Sequence, residues 1–345
     1  MALVQTLSDV LPSGGLDPDS GLVLRSAYGY QVSFTHATLP TGYRSAPHAH
    51  ESEEIFEVAD GEVSVFLDGL EFRLGKGDLL RVPALAVHWK ETRGDVPAVL
   101  HELHNPPRGI AGSGSLLDAY EREDASHGGN GHVRFGQTYR ASRYLLDGSD
   151  AFPVAPDDHP LIARGGPLWD KAVAAELPRQ HGSEGTNRAI RVAGESFSIL
   201  YSERVGLKAR PHLHAAEQLS YVVSGEVWTF VDDRVFFSKA GDVIRVPGNV
   251  IHWALVEPGT TAVTFEVHTP VQGDPVVSAK GGLTFLLPEH RVPQIAWIPG
   301  GFPTDALPAE ELEDYEAGLL KAARESLALQ ERVPSRQLTP IGGRR

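Results

Sequence analysis

Four residues in the first half of the chain stand at spacings that serve metal chemistry: His48, His50, Glu54 and His88. Side chains two apart on a strand share a face, so His48 and His50 point the same way, and Glu54 has the same parity. His88 falls on a later strand that an antiparallel neighbour would bring opposite them. Three imidazoles and one carboxylate make a mixed N/O donor set for a divalent transition metal (Fe, Mn, Co, Ni or Cu), and ligand type does not choose among these ions. Such a set leaves open positions for substrate chelation or dioxygen binding, and a metal-bound substrate oxygen becomes more acidic. Glu54 is placed to act twice, as ligand and as a general base toward the substrate. Phe56, Phe66 and Trp89 lie close by in sequence, and they predict an apolar pocket suited to a planar aromatic substrate.

The same constellation recurs. Residues 42–106 align with 206–270 at a constant offset of 164 without a gap, and 24 of the 65 positions are identical. One long period means two tandem copies of a domain: 1–150, 151–300 and a tail at 301–345. In the second copy His212, His214 and His252 are kept, but Gln218 stands where the first copy has Glu54. The neighbouring Glu217 is the mate of Glu53 and faces the other side of its strand. A second metal site is therefore predicted at His212, His214, Gln218 and His252, incomplete and weaker than the first. Glu102 and His104, repeated as Glu266 and His268, also share a strand face, as pocket residues or as a hydrogen-bonded structural pair. Arg81 and Arg245 precede a turn in both copies and read as structural.

The elements that must carry these groups are short strands. The 36 Gly and 25 Pro disfavour helices, and segments such as 62–67, 78–83, 219–225, 226–231 and 242–247 are rich in β-branched and aromatic residues between turn signals. The chain reads as all-β. One helix is expected in 308–333, where Leu312, Tyr315, Leu319, Leu320 and Ala323 have helical spacing and would pack on a barrel or on a second subunit.

Composition excludes several function classes. There are 45 acidic against 31 basic side chains, a formal charge of −14, which disfavours nucleic acid and anionic membranes as partners. Cysteine is absent, so thiolate ligands and Cys nucleophiles are excluded. No apolar run is long enough for a membrane span, and residues 1–15 do not read as a signal peptide. A cytoplasmic protein is expected, acting on a small molecule and forming a homodimer through sheet faces.

The pattern G-x5-HxH-x3-E-x6-G, followed by G-x5-P-x4-H, resembles the two signature motifs of the cupin superfamily, and its duplication resembles a bicupin. That resemblance implies two tandem double-stranded β-helix (jelly-roll) barrels, each with its metal inside, and carries His48, His50, Glu54 and His88 over as ligands. Leu85 departs from the motif's usual Gly, whereas Asn249 occupies that place in the second copy, so the first turn is expected to differ locally. Among bicupins the chain resembles the quercetin 2,3-dioxygenase family, which implies flavonol ring opening with dioxygen, with Glu54 taking the flavonol proton. The competing readings are an oxygen-independent metal cupin enzyme (an isomerase, cyclase or oxalate decarboxylase-like protein) and a non-catalytic small-molecule-binding bicupin.

Overall fold

A computed structural model describes residues 4–7, 13–14, 21–107, 152–165, 173–176, 184–209, 214, 216–232, 234–250, 252–271 and 283–285, with helical turns at 314, 317–318, 320–325 and 327–328. The first repeat contains β1 (Val4–Thr6), β2 (Ser13–Gly14), β3 (Val23–Tyr28), β4 (Ser33–Leu39), β5 (Glu53–Asp60), β6 (Glu62–Leu67), β7 (Leu70–Gly75), β8 (Leu79–Val82), β9 (His88–Thr92) and β10 (Ala98–Asn105). Beyond it come β11 (Ile162–Ala163), β12 (Val173–Glu176), β13 (Glu184–Ala193), β14 (Ser198–Lys208), β15 (Glu217–Ser224), β16 (Glu226–Val231), β17 (Arg234–Lys239), β18 (Asp242–Val246), β19 (His252–Leu255), β20 (Thr261–Thr269) and β21 (Leu283–Phe285).

Each repeat forms a two-layered barrel. In the first, a broad sheet ordered β11-β8-β5-β10-β4-β3-β2 covers a short one ordered β7-β6-β9. In the second, β18-β15-β20-β14 and β17-β16-β19 correspond to them, and the Lys208–Leu255 pairing joins both into one sheet. The registers coincide: Glu54 lies between His104 and Val82, as Gln218 lies between His268 and Val246. Alternation does the sorting. On β6, Val63, Val65 and Leu67 enter the core of the first barrel, while Phe66 turns outward onto Trp89 and Phe152. On β10, Leu100 faces that core and Leu103 faces the other barrel.

Between the barrels lies an apolar cluster that includes Phe34, Ile55 and Leu103 from one side and Phe197, Phe265 and Val267 from the other. Two buried ion pairs bracket it. Arg81 Nε donates to Glu53 Oε1 at 2.5 Å, and Glu53 also accepts the backbone N–H groups of Glu195 and Ser196 at 2.7 Å each. Arg245 Nε donates to Glu217 Oε1 at 2.6 Å, and Glu217 accepts the N–H groups of Tyr30 and Gln31. Each carboxylate thus reaches from its own barrel into a turn of the other, where Gly194 and Gly29 make room: a Cβ there would come within 2.7 Å of the carboxylate oxygen. Edge strands interlock the units proposed as 1–150 and 151–300, since β1 pairs with β18 and β11 with β8.

The expected helix is present over the described part of 314–328, and Leu320, Ala323 and Leu327 pack on the outer cluster of Trp228, Phe230 and Trp253. Leu312, Tyr315 and Leu319 lie outside the described residues. The turn at Leu85 does not differ from its mate. Leu85 (φ 62°) and Asn249 (φ 61°) adopt the same left-handed backbone, and their N–H groups bond the carbonyls of His50 and His214 at 2.7 Å. The tether to the histidine loop holds Leu85 where its side chain alone would not stay.

Candidate metal centre

The site of the first barrel is assembled by one bridge and one strand. His48 and His88 form an antiparallel bridge, with N–H to carbonyl distances of 2.9 and 2.8 Å, and β5 supplies Glu54 from beneath. Each ring is oriented by the backbone: Nδ1 of His48, His50 and His88 lies 2.9, 2.8 and 2.9 Å from the carbonyls of Ala46, Ser52 and Ala86. A carbonyl only accepts, so each Nδ1 carries the proton and each Nε2 turns its lone pair inward, the arrangement found behind metal-bound histidines. His48, His50 and His88 offer nitrogens within 4.8 Å of one another, as do His50, Glu54 and His104 with their ligand atoms. The Nε2 of His88 is buried without a hydrogen-bond partner, 3.4 Å from Glu54 Oε2. A metal ion would satisfy it, so the residues fit the group.

The carboxylate is divided between two duties. Oε2 faces the Nε2 atoms of His50 and His88, at 3.3 and 3.4 Å. Oε1 accepts from Lys90 Nζ at 2.5 Å, and the same ammonium donates to Glu102 at 2.6 Å. Burial alone would raise the Glu54 pKa, but its neighbours, the Lys90 ammonium first among them, outweigh it and hold the group well below the usual carboxylate range. Burial likewise opposes charge on Lys90, yet Glu102 and Glu54 raise its pKa. Burial is the main cause lowering the pKa of His88, which keeps the ring neutral and able to ligate.

The structure therefore brings together His48, His50, Glu54 and His88. Phe56 is there too, its ring 4.5 Å from Lys90 Nζ. Phe66 and Trp89 are not. They stack at 4.7 Å on the outside of the short sheet against Phe152, because each neighbours an inward residue (Leu67 and His88) and must face away. The expected aromatic pocket is corrected to Phe56 alone among these three. Lys90 is not among the residues expected from sequence, although its position two residues after His88 puts it on the same face. Glu102 and His104 both face inward, Glu102 to hold Lys90 and His104 with Nε2 3.9 Å from Glu54 Oε1.

In the second barrel His214, Gln218 and His252 occupy the matching places, and His212 lies outside the described residues. Nδ1 of His214 and His252 donates to the carbonyls of Ala216 and Val250 at 2.8 and 2.9 Å. Gln218 donates to Ser220 Oγ at 2.8 Å and turns Oε1 toward His214 Nε2 at 3.3 Å. The amide keeps the carboxylate's place without its charge.

Comparison with known proteins agrees with this geometry. The family model described as a cupin domain matches residues 35–104 and 203–268. The fold is that of two tandem cupin barrels, as in bicupins. An uncharacterized protein of Methanocaldococcus jannaschii is 32% identical over 80 residues, 23% of this chain and 64% of that protein. Among solved structures, a mutant oxalate decarboxylase of Bacillus subtilis is similar with a TM-score of 0.56 and 17% identity, covering 79% of this chain and 78% of that one. The oxalate decarboxylase formate complex of Lactobacillus farciminis has a TM-score of 0.56 and 16% identity, covering 79% and 88%. At these identities the likeness is one of fold. No helix among the described residues is long and apolar enough to cross a membrane.

Proposed function

We propose that the first barrel is a divalent-metal centre acting on a small carboxylate substrate that chelates through oxygen, without consuming dioxygen as a co-substrate. The observation that carries this reading is the fixed state of Glu54, with one oxygen toward the histidines and the other held by Lys90. His48, His50, Glu54 and His88 would hold the ion, which when bound supplies a Lewis acid and open positions for substrate oxygens. Lys90 restrains Glu54 to a single free oxygen, so Glu54 serves as a ligand rather than as a mobile base. Glu102 in turn anchors Lys90, and the apolar cluster from Phe56 to Leu100 closes the barrel beneath them. The flavonol dioxygenase alternative has less support, since it calls for a free base and an aromatic wall. Lys90 occupies the base, and Phe66 and Trp89 stand outside.

Elemental analysis of protein purified without added metal tests the first half of the reading. About one divalent ion per chain is expected, lost in His88→Ala. Manganese is the first ion to supply, since the Bacillus subtilis oxalate decarboxylase holds Mn(II) centres. An oxygen electrode tests the second half. Carbon dioxide release from oxalate or another small carboxylate without matching oxygen uptake supports the proposal, and stoichiometric oxygen uptake with a flavonol overturns it.

A further inference from the structure

We infer that the second barrel is a binding site for a small hydroxylated carboxylate, held by guanidinium and hydroxyl groups rather than by a metal ion. The ground is an exchange of residues at matched positions. In the first barrel Ala37, Leu39, Phe56, Val65, Leu74 and Leu100 belong to one continuous apolar cluster. Strand pairing puts Ser202, Arg204, Ser220, Thr229, Ser238 and Thr264 in the same places of the second barrel, and all six are buried. The apolar residues left there fall into separate small groups, one around Val222 and Val227, the other around Val231, Ile244 and Val246.

A hydroxyl in a barrel core is costly unless it is hydrogen-bonded. Ser202 Oγ and Ser238 Oγ, each 0% exposed, have no hydrogen-bond partner among the described residues, nor has Arg204 Nε. Phe56 and Lys90, which crowd Glu54 in the first barrel, are replaced by Ser220 and Ala254, so the side of Gln218 opens onto hydroxyls instead of an aromatic ring.

The charges differ in sign. Among the described inward residues, the first barrel carries two carboxylates, Glu54 and Glu102, and one ammonium, Lys90. The second carries one carboxylate, Glu266, and two guanidiniums. Arg204 NH2 donates to Glu266 at 2.6 Å, and Arg191 NH1 lies 3.2 Å from Ser198 Oγ and 3.5 Å from His268 Nδ1. An interior biased negative favours a dication, and one biased positive favours an anion, because little solvent is present to screen either. Guanidinium groups match carboxylates, and serine hydroxyls both donate to and accept from hydroxyls of a ligand. These two chemistries together define the ligand class.

The experiment uses the full chain stripped of metal by a chelator, with tartrate and succinate as probes in titration calorimetry; succinate keeps the carboxylates and lacks the hydroxyls. Saturable binding of tartrate is expected, about tenfold or more tighter than succinate, unchanged in His48→Ala and lost in Arg204→Gln. Because that variant leaves Glu266 without its partner, a second one is needed. Ser202→Ala/Ser238→Leu restores the residues that the first barrel packs at those positions, and it should fold while losing tartrate. Absence of saturable binding in the folded wild type, or binding that survives the double replacement, overturns the inference. So does a second equivalent of bound metal that disappears in His252→Ala. None of these results touches the metal reading of the first barrel, which fails or stands on its own metal content.

Discussion

The two barrels share a strand register and part company in what fills them. Glu54 and Gln218 lie between the same two neighbouring strands, opposite equivalent histidines. Around Glu54 stand Lys90, Glu102 and Phe56; around Gln218 stand Ala254, Glu266, Ser220 and Arg204. The backbone thus decides where a group sits, while single inward positions decide the sign of the charge it meets. A duplicated barrel can surround matched positions with different groups by changing a few side chains, because an inward residue interacts mainly with the others that face it.

The comparison can be broken from either side. The largest effect is expected at the interface both barrels share. Glu53→Ala or Glu217→Ala removes the carboxylate that accepts from a buried arginine Nε and from two turn N–H groups, and each should lower unfolding free energy by about 3–5 kcal/mol in denaturant titration. Losses of the same order are expected, although Arg81 keeps Glu195 as a second partner at 2.8 Å; a loss confined to one would mean that the barrels do not bear equally on their interface.

Next comes the exchange of the two carboxyl positions. Glu54→Gln makes the first site resemble the second, and metal affinity should fall by more than about 100-fold, with turnover lost and the circular dichroism spectrum kept. Gln218→Glu tests the converse. A second bound metal ion in elemental analysis would show that this one position separates the barrels, and an unchanged stoichiometry would assign the difference to Arg191 and Arg204 as well.

The left-handed turn gives a smaller, opposed pair. Leu85→Asn should stabilise by about 1 kcal/mol and Asn249→Leu should cost about as much, read as shifts in thermal midpoint. The smallest effect concerns pH. Burial, with His101 and Arg25 beside it, lowers the His36 pKa to about 4, whereas its mate Tyr201 carries no charge in that range. The unfolded chain takes up a proton below about pH 6.5 and the native state only near pH 4, so this histidine makes stability fall as pH drops between them. His36→Gln should flatten that slope in denaturation measured at pH 4.5, 5.5 and 6.5.

Much of this was legible beforehand. The gapless repeat, the strands and the candidate ligand set follow from spacing, because side-chain parity along a strand is local geometry and a repeat records it twice. Phe66 and Trp89 are close to the candidate ligands in sequence but not in space, because their parity against Leu67 and His88 sends both outward. The turn at Leu85 was expected to deviate on intrinsic preference, and the hydrogen bond to His50 overrode that preference.

The sequence by itself determined the class of fold, the duplication, the four candidate ligands and the loss of one carboxylate in the second copy. Only the tertiary structure decided that Lys90 grips Glu54 and Glu102 at once, that Glu53 and Glu217 cross into opposite barrels, and that two buried serines and an arginine line the second interior. The physical reason is that ligand spacing is set within a strand and its neighbour, whereas charge balance and hydrogen-bond satisfaction depend on residues far apart in sequence that meet only when both sheets close.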